Sequence, residues 1–181
     1  AMMVLQLTSV MAFAAVTEEK SQYTNVHTVT GTGATGEKVN CTDNVVHLFQ
    51  GGTTYDGSGL TQGTACYAVP VSATASSVTC GGANDILVLS GTWDGIPAPD
   101  ATTVTGFNVA QDQIIINKTG TDTDITVTKL SDTSYSLLFK STDIAAITTT
   151  ASTTAEAVKA RIKLVSATPC VVGEKDGTLT A

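Results

Sequence analysis

Short apolar runs separated by turn residues dominate the chain after residue 40. The runs lie at 45–49, 66–71, 86–89, 114–117, 125–130 and 135–139. Between them stand Gly51-Gly52, Asp56-Gly57, Asp94-Gly95, Gly120 and Ser131-Asp132. Asp-Gly pairs are strong turn formers because glycine accepts positive φ. This spacing predicts a mainly β fold, a β-sandwich-like domain over residues 41–181, and no repeat of fixed period is evident.

Residues 158–165 carry the most regular alternation in the chain. Val158, Ala160, Ile162 and Leu164 alternate with three cations, which predicts a strand with one apolar and one basic face. A helix is the rival interpretation, because Thr153 and Glu156 have the spacing of a capping box. The strand is the preferred prediction.

Residues 1–16 contain no charged side chain and end directly before Glu18 and Glu19. The large apolar residues of this segment are Met3, Val4, Leu5, Leu7, Val10, Met11, Phe13 and Val16. A helical stripe and a short strand-like alternation both occur in it, so the pattern leaves helix and strand open. We expect this segment to be an assembly element that packs into neighbouring subunits.

Three other interpretations of residues 1–16 stay open. Ala12-Phe13-Ala14 has the small-x-small pattern of an export-signal cleavage site, although no basic residues precede the apolar run. A membrane span needs about 20 apolar residues, more than this run supplies. The segment could also pack in the core of its own chain. Residues 17–40 are polar and glycine-containing, and we expect a linker or a first hairpin there.

The composition fits an extracellular β protein. Threonine occurs 33 times among the 181 residues, and this β-branched residue suits the solvent face of a sheet. The net charge is −7 with nine lysine and arginine residues, so nucleic acid is not an expected partner.

Four cysteines and two sequons are candidate modification sites. Cys41, Cys66, Cys80 and Cys170 form an even set with wide gaps, as in disulfide-bonded secreted proteins, and the pairing stays open. Asn40 and Asn117 each begin an Asn-x-Ser/Thr triplet, which makes them candidates for N-glycosylation.

No catalytic motif stands out. His27 and His47 are the only histidines and do not form a His-Glu-x-x-His zinc motif, and Ser58 lacks the Gly-x-Ser-x-Gly frame of a hydrolase nucleophile. Trp93 is a candidate sugar-stacking platform or a buried loop anchor. We therefore expect a protein that is not an enzyme and that has no cofactor and no resident metal.

The layout of the chain resembles pilin-like filament subunits. An apolar N-terminal segment precedes a Thr/Gly-rich β domain with cysteines. The chain differs from type IV pilins at Leu5, where those pilins usually place a glutamate, and its apolar run is shorter. The resemblance implies a homopolymer that forms through residues 1–16.

A second segment resembles calcium-binding RTX repeats of secreted proteins. The stretches "CGGANDILVLSG" and "TVTGFNVAQDQIII" carry this resemblance, and a calcium site on Asp85 is what it implies. Asp122 and Asp124 are a further calcium candidate, or simple turn formers. Calcium needs six to eight oxygen ligands, which one degenerate turn does not supply.

The sequence therefore predicts a structural subunit of an extracellular, pilus-like filament whose partner is another copy of itself. A monomeric secreted adhesive protein and a calcium-binding β-domain surface protein are the alternatives.

Overall fold

The computed structural model describes residues 17–20, 26–30, 46–72, 74–91 and 101–165, with side chains from residue 47 onward. These ranges contain thirteen strands, one α-helix and one short 3-10 helix. In chain order they are β1 Thr17–Lys20, β2 Val26–Thr30, β3 Val46–Gln50, β4 Thr54–Asp56, β5 Thr64–Pro70, β6 Ser77–Thr79, β7 Asn84–Ser90, β8 Thr102–Phe107, β9 Gln113–Ile116, the 3-10 helix Asp122–Asp124, β10 Ile125–Lys129, β11 Ser134–Phe139, β12 Thr142–Thr149, α1 Ala155–Lys159 and β13 Ile162–Leu164.

The strands form two sheets. The seven-stranded sheet has the order β1-β2-β3-β5-β7-β9-β13, and the six-stranded sheet has the order β10-β11-β12-β8-β6-β4. From β3 to β9 the chain changes sheet with every strand, and each strand pairs in parallel with the strand one coil later. This winding is a parallel β-helix with two sheets. The mainly β prediction is confirmed. Two sheets face each other as in the expected β-sandwich-like domain, but their strands pair largely in parallel.

The coils have unequal lengths. Val46 pairs with Thr64 and Thr64 pairs with Asn84, so these two coils are 18 and 20 residues long. Ile86 pairs with Gln113 and Ile114 pairs with Ile162, because longer segments are inserted between these strands. The insertions give the coils no common length, which agrees with the absence of a fixed period in the sequence.

The last insertion consists of β10, β11, β12 and α1. β10, β11 and β12 pair antiparallel, and β12 then pairs in parallel with β8, which returns the chain to the helical winding. After β12, α1 leads into β13, which pairs with β9.

The preference for a strand over residues 158–165 is wrong for its first half. Residues Ala155–Lys159 form α1, and the strand begins only at Ile162. The cap is Thr154, whose Oγ1 accepts a hydrogen bond from the Ala157 N–H at 3.1 Å. Val158 is fully buried and anchors α1 to the core.

The space between the sheets is filled by apolar side chains from both inner faces. Alternate residues of each strand point inward, so register partners in successive coils lie on the same face and stack on one another. Phe49 and Tyr67 are register partners, and their rings stack with centroids 4.7 Å apart. Leu87, Ile114 and Ile162 continue this row and are buried.

The two outer faces differ in chemistry. The outer face of the six-stranded sheet exposes threonines at positions 103, 105, 126, 128 and 148, as the composition predicts for a solvent face. On the seven-stranded sheet the outward positions include Cys66, Val88 and Ile115. These three side chains are 0%, 5% and 3% exposed, although they lie outside the core cluster between the sheets.

All six strands predicted between residues 45 and 139 coincide with observed strands, with ends that differ by at most two residues. β1 and β2 pair antiparallel within the segment expected to be a linker or first hairpin. Among the described residues, no helix is long and apolar enough to span a membrane.

Candidate functional site

A buried polar cluster lies where the winding enters β7 and β9. It consists of Tyr67, Cys80, Asp85 and Asp112, which we call the polar cluster. Asp85 is the second residue of β7, and Asp112 directly precedes β9. Because Ile86 pairs with Gln113, the two aspartates occupy equivalent positions in successive coils. Both are completely buried.

Every carboxylate oxygen of the pair accepts a hydrogen bond. The Tyr67 hydroxyl donates to Asp85 Oδ1 at 2.9 Å, and the Gly81 N–H donates to Asp85 Oδ2 at 2.9 Å. The Asp85 N–H donates to Asp112 Oδ1 at 3.0 Å, and the Asn108 N–H donates to Asp112 Oδ2 at 2.6 Å. The chain of bonds therefore links three consecutive coils through β5, β7 and β9.

Burial raises the pKa of both carboxyls. Loss of solvation is the main cause, and the negative charge of Asp112 adds to it for Asp85, so the pKa of Asp85 rises to about 7. The pKa of Asp112 rises to about 6, because its backbone hydrogen bonds and the Arg161 charge offset part of the burial. The pair therefore binds protons at a pH where exposed carboxyls have lost them.

Cys80 and Tyr67 stay neutral in this surrounding. Burial is the first cause that raises the pKa of the Cys80 thiol, and the charges of Asp85 and Asp112 are the next. Burial and Asp85 likewise raise the pKa of the Tyr67 hydroxyl. A thiol with a raised pKa is a poor nucleophile, because the thiolate is the reactive form.

Three residues of the polar cluster could together hold a metal ion. Cys80, Asp85 and Asp112 each offer one ligand atom, and these atoms lie within 4.8 Å of one another. A thiolate with two carboxylates suits a zinc-like ion rather than calcium, which needs six to eight oxygens. The carboxylate oxygens already accept bonds from the chain, so the donor set fits a structural network better than a calcium site.

A second feature is an open cavity of about 380 Å³ beside α1. Asp122, Glu156 and Lys159 contribute charged groups to its wall, and Ile125, Ala160 and Ile162 contribute apolar ones. Asp124 lies next to it and accepts a hydrogen bond from the Thr121 N–H at 2.8 Å, which makes it a turn former.

The sequence candidates are scattered over the structure. Cys80 and Asp85 meet in the polar cluster, whereas Cys66 lies on the outer face of the seven-stranded sheet. No disulfide joins Cys66 to Cys80. Asn117 follows β9 and is half-buried, and its N–H donates to the Leu89 carbonyl at 2.9 Å. Residues 1–16, Asn40, Cys41, Trp93 and Cys170 lie outside the described residues.

Tyr67 and Asp112 were not among the candidates. A signal for Asp112 exists, because "NDILVL" and "QDQIII" both place an amide residue and an aspartate before an apolar strand. The structure shows that these two stretches are equivalent parts of successive coils. For Tyr67 the sequence contains no comparable signal.

Comparison of the chain with protein-family models, curated proteins and solved structures found no match.

Proposed function

We propose that this chain is a structural subunit of an extracellular filament, which polymerises when residues 1–16 insert into neighbouring subunits. The observation that carries the proposal is the position of β1. This strand follows the apolar segment directly and is the outermost strand of the seven-stranded sheet. The apolar segment is therefore attached to the rim of the fold, from which a neighbour can be reached.

The winding itself supports a building-block role. In a parallel β-helix each coil contacts only the coils before and after it, and the ends of the winding leave strands with one unpaired side. Among the described strands, β1 and β13 end one sheet, and β4 and β10 end the other. An apolar segment at such a rim can satisfy its side chains by joining the next subunit.

The polar cluster fits the same role. Its carboxylates are completely buried, and their oxygens bond to the chain. This arrangement fixes the stacking of coils and offers a substrate no exposed side chain.

Electron microscopy of the purified intact chain, compared with a chain that lacks residues 1–16, tests the proposal. Filaments from the intact chain and soluble monomers from the shortened chain are the expected result. A double variant, Leu5→Asp with Leu7→Asp, should also stop assembly, whereas the control Gln6→Ser should still form filaments. Folded monomers from the intact chain at every concentration and salt condition would contradict the proposal.

A further inference from the structure

The hydrogen bonds of the polar cluster leave one of its members out. Asp85 is bonded to Tyr67 on one side and to Asp112 on the other. The Cys80 thiol is 6% exposed and forms no disulfide, and no described residue forms a hydrogen bond with its sulfur. This sulfur nevertheless lies within 4.8 Å of an oxygen of each carboxylate. A network that only fixed the stacking of coils would not explain an unpartnered thiol at this place.

The acidic groups of the cluster also have no counter-charge of their own. Among the residues that the structure describes, no lysine, arginine or histidine forms an ion pair with Asp85 or Asp112. Arg161 uses its Nε to donate to the backbone carbonyl of Asp112 at 2.7 Å. Buried acidic groups are normally paired with a cation or coordinate a metal ion. The cluster therefore presents two carboxylates and a thiol to a cation that the described side chains do not supply.

We propose that the polar cluster is a binding site for a divalent metal ion of the zinc type, with Cys80 Sγ and one oxygen each of Asp85 and Asp112 as ligands. Zinc accepts both sulfur and carboxylate oxygen, whereas calcium and magnesium take oxygen ligands. The sequence led us to expect no resident metal, because Cys80 and Asp112 meet only in the folded chain. The site goes beyond the proposed filament and does not depend on it.

The distances suit a tetrahedral ion after a small movement of the side chains. Zinc lies about 2.3 Å from sulfur and about 2.0–2.2 Å from oxygen, which places tetrahedral ligand atoms about 3.6 Å apart. The ligand atoms of the cluster lie within 4.8 Å of one another, so rotations that bring them closer by at most about 1 Å form the site. Three protein ligands with water in the fourth position are an established arrangement for zinc.

The hydrogen bonds of the cluster are compatible with metal binding. An ionised carboxylate has about four lone-pair sites, so an oxygen that accepts one hydrogen bond can still coordinate a metal. The Tyr67 hydroxyl and the backbone N–H groups of Gly81 and Asn108 already hold the ligand oxygens in place. Such partners orient the ligands of metal sites and raise the affinity for the metal.

The order of the ligands along the chain connects metal binding with folding. Cys80 directly follows β6, Asp85 lies in β7 and Asp112 directly precedes β9. The three side chains come together only when successive coils stack, and all three are then buried. A metal ion must therefore bind while the chain folds or opens locally, and its binding should stabilise the folded state.

Refolding with Co²⁺ or Zn²⁺ tests the site in the full-length chain. The chain is unfolded in urea with EDTA and a reductant, transferred to buffer with the metal, and freed of excess metal by gel filtration. We expect one bound ion per chain, a thiolate-to-cobalt charge-transfer band with Co²⁺, and a higher unfolding temperature that EDTA reverses. If the refolded chain holds no metal and shows no such band, the proposal is overturned.

Matched variants identify the ligands. Cys80→Ala and Asp112→Asn should each lower the affinity for Zn²⁺ by about tenfold or more. The control Cys66→Ala removes the other thiol that the structure describes, and Asp122→Asn removes an exposed carboxylate. Both controls should retain the wild-type affinity within about twofold. A cobalt band that is lost in Cys66→Ala and kept in Cys80→Ala contradicts the assignment.

X-ray absorption spectroscopy of the zinc-loaded wild-type chain covers the case in which the variants do not fold. One sulfur together with oxygen ligands is the expected coordination. A shell without sulfur would show that the ion binds elsewhere. Two or more sulfurs would assign the ion to a site that includes further cysteines, such as Cys41 or Cys170, and would equally overturn the proposal.

Discussion

At the scale of single residues, the polar cluster makes stability depend on pH. The pKa of Asp85 is about 7 in the folded chain and near 4 in the unfolded chain, so the folded state binds more protons between these values. The stabilising contribution of the bound proton is complete below pH 4 and is lost as the pH rises through 7.

We expect the wild-type free energy of unfolding to fall by about 2–4 kcal/mol more than that of Asp85→Asn between pH 4 and pH 7.5. The asparagine cannot ionise, so its contribution is constant over this range. Urea denaturation at a series of pH values measures the difference. The control Asp122→Asn removes an exposed carboxylate and should follow the wild-type curve. If the free energy of unfolding changes equally with pH in wild type and Asp85→Asn, then Asp85 and Asp112 are not buried as described.

Gly57 provides a second prediction at this scale. A Cβ at Gly57 would overlap the Tyr67 hydroxyl, which donates to Asp85. Gly57→Ala should therefore destabilise the chain by about 3 kcal/mol, because Tyr67 must move and the bond to Asp85 is broken.

Gly51→Ala is the matched control for Gly57→Ala. Gly51 has φ +78° and open space around its Cβ position, so this change costs only the backbone strain of about 1 kcal/mol. Thermal unfolding of both variants compares the two costs. If Gly57→Ala lowers the stability less than Gly51→Ala does, the close approach of Gly57 to Tyr67 is absent in solution.

At the scale of elements, α1 shows that one stretch of sequence can fit both a strand pattern and a helix pattern. The alternation at 158–165 predicts a strand, and the same residues also allow a helix. The helix forms over the first half because Thr154 caps it and Val158 fills the core. Tertiary packing thus decides between patterns that the sequence leaves balanced.

The cap of α1 can be tested by two neighbouring threonines. Thr154→Ala removes the acceptor of the Ala157 N–H and should cost about 1 kcal/mol. Thr153→Ala should cost much less, because the hydrogen bonds at Thr153 use its backbone: the carbonyl accepts from Tyr135 and Lys129, and the N–H donates to the Asp132 carbonyl. Chemical denaturation of the two variants gives the comparison. A larger loss of stability from Thr153→Ala than from Thr154→Ala would instead support the capping box of Thr153 and Glu156 that the sequence suggests.

The sequence predicts the elements of this fold better than their arrangement. Short apolar runs bounded by glycine and aspartate identify individual strands, because strand burial and turn chemistry are local properties. The parallel winding depends on pairings such as Ile114 with Ile162, which lie far apart in the chain. The polar cluster also depends on long-range pairing, because Tyr67, Asp85 and Asp112 meet only after three coils are stacked.

At the scale of the whole molecule, the difference between the two outer faces is the feature with the largest consequence. The six-stranded sheet presents threonines to solvent, whereas Cys66, Val88 and Ile115 on the outer face of the seven-stranded sheet are nearly inaccessible to solvent. A change from an apolar residue to lysine should therefore act differently on the two faces, even though both positions lie in strands.

Val88→Lys and Ala146→Lys form the matched pair for this comparison. Val88 is on the outer face of the seven-stranded sheet and is 5% exposed, whereas Ala146 is exposed on the six-stranded sheet. A lysine at position 88 must be buried or displace the groups packed against this position, so we expect the free energy of unfolding to fall by about 2 kcal/mol or more. Ala146→Lys should retain the wild-type stability within about 0.5 kcal/mol. Denaturation curves of both variants provide the measurement. If Val88→Lys loses no more stability than Ala146→Lys, the outer face of the seven-stranded sheet is open to solvent in solution.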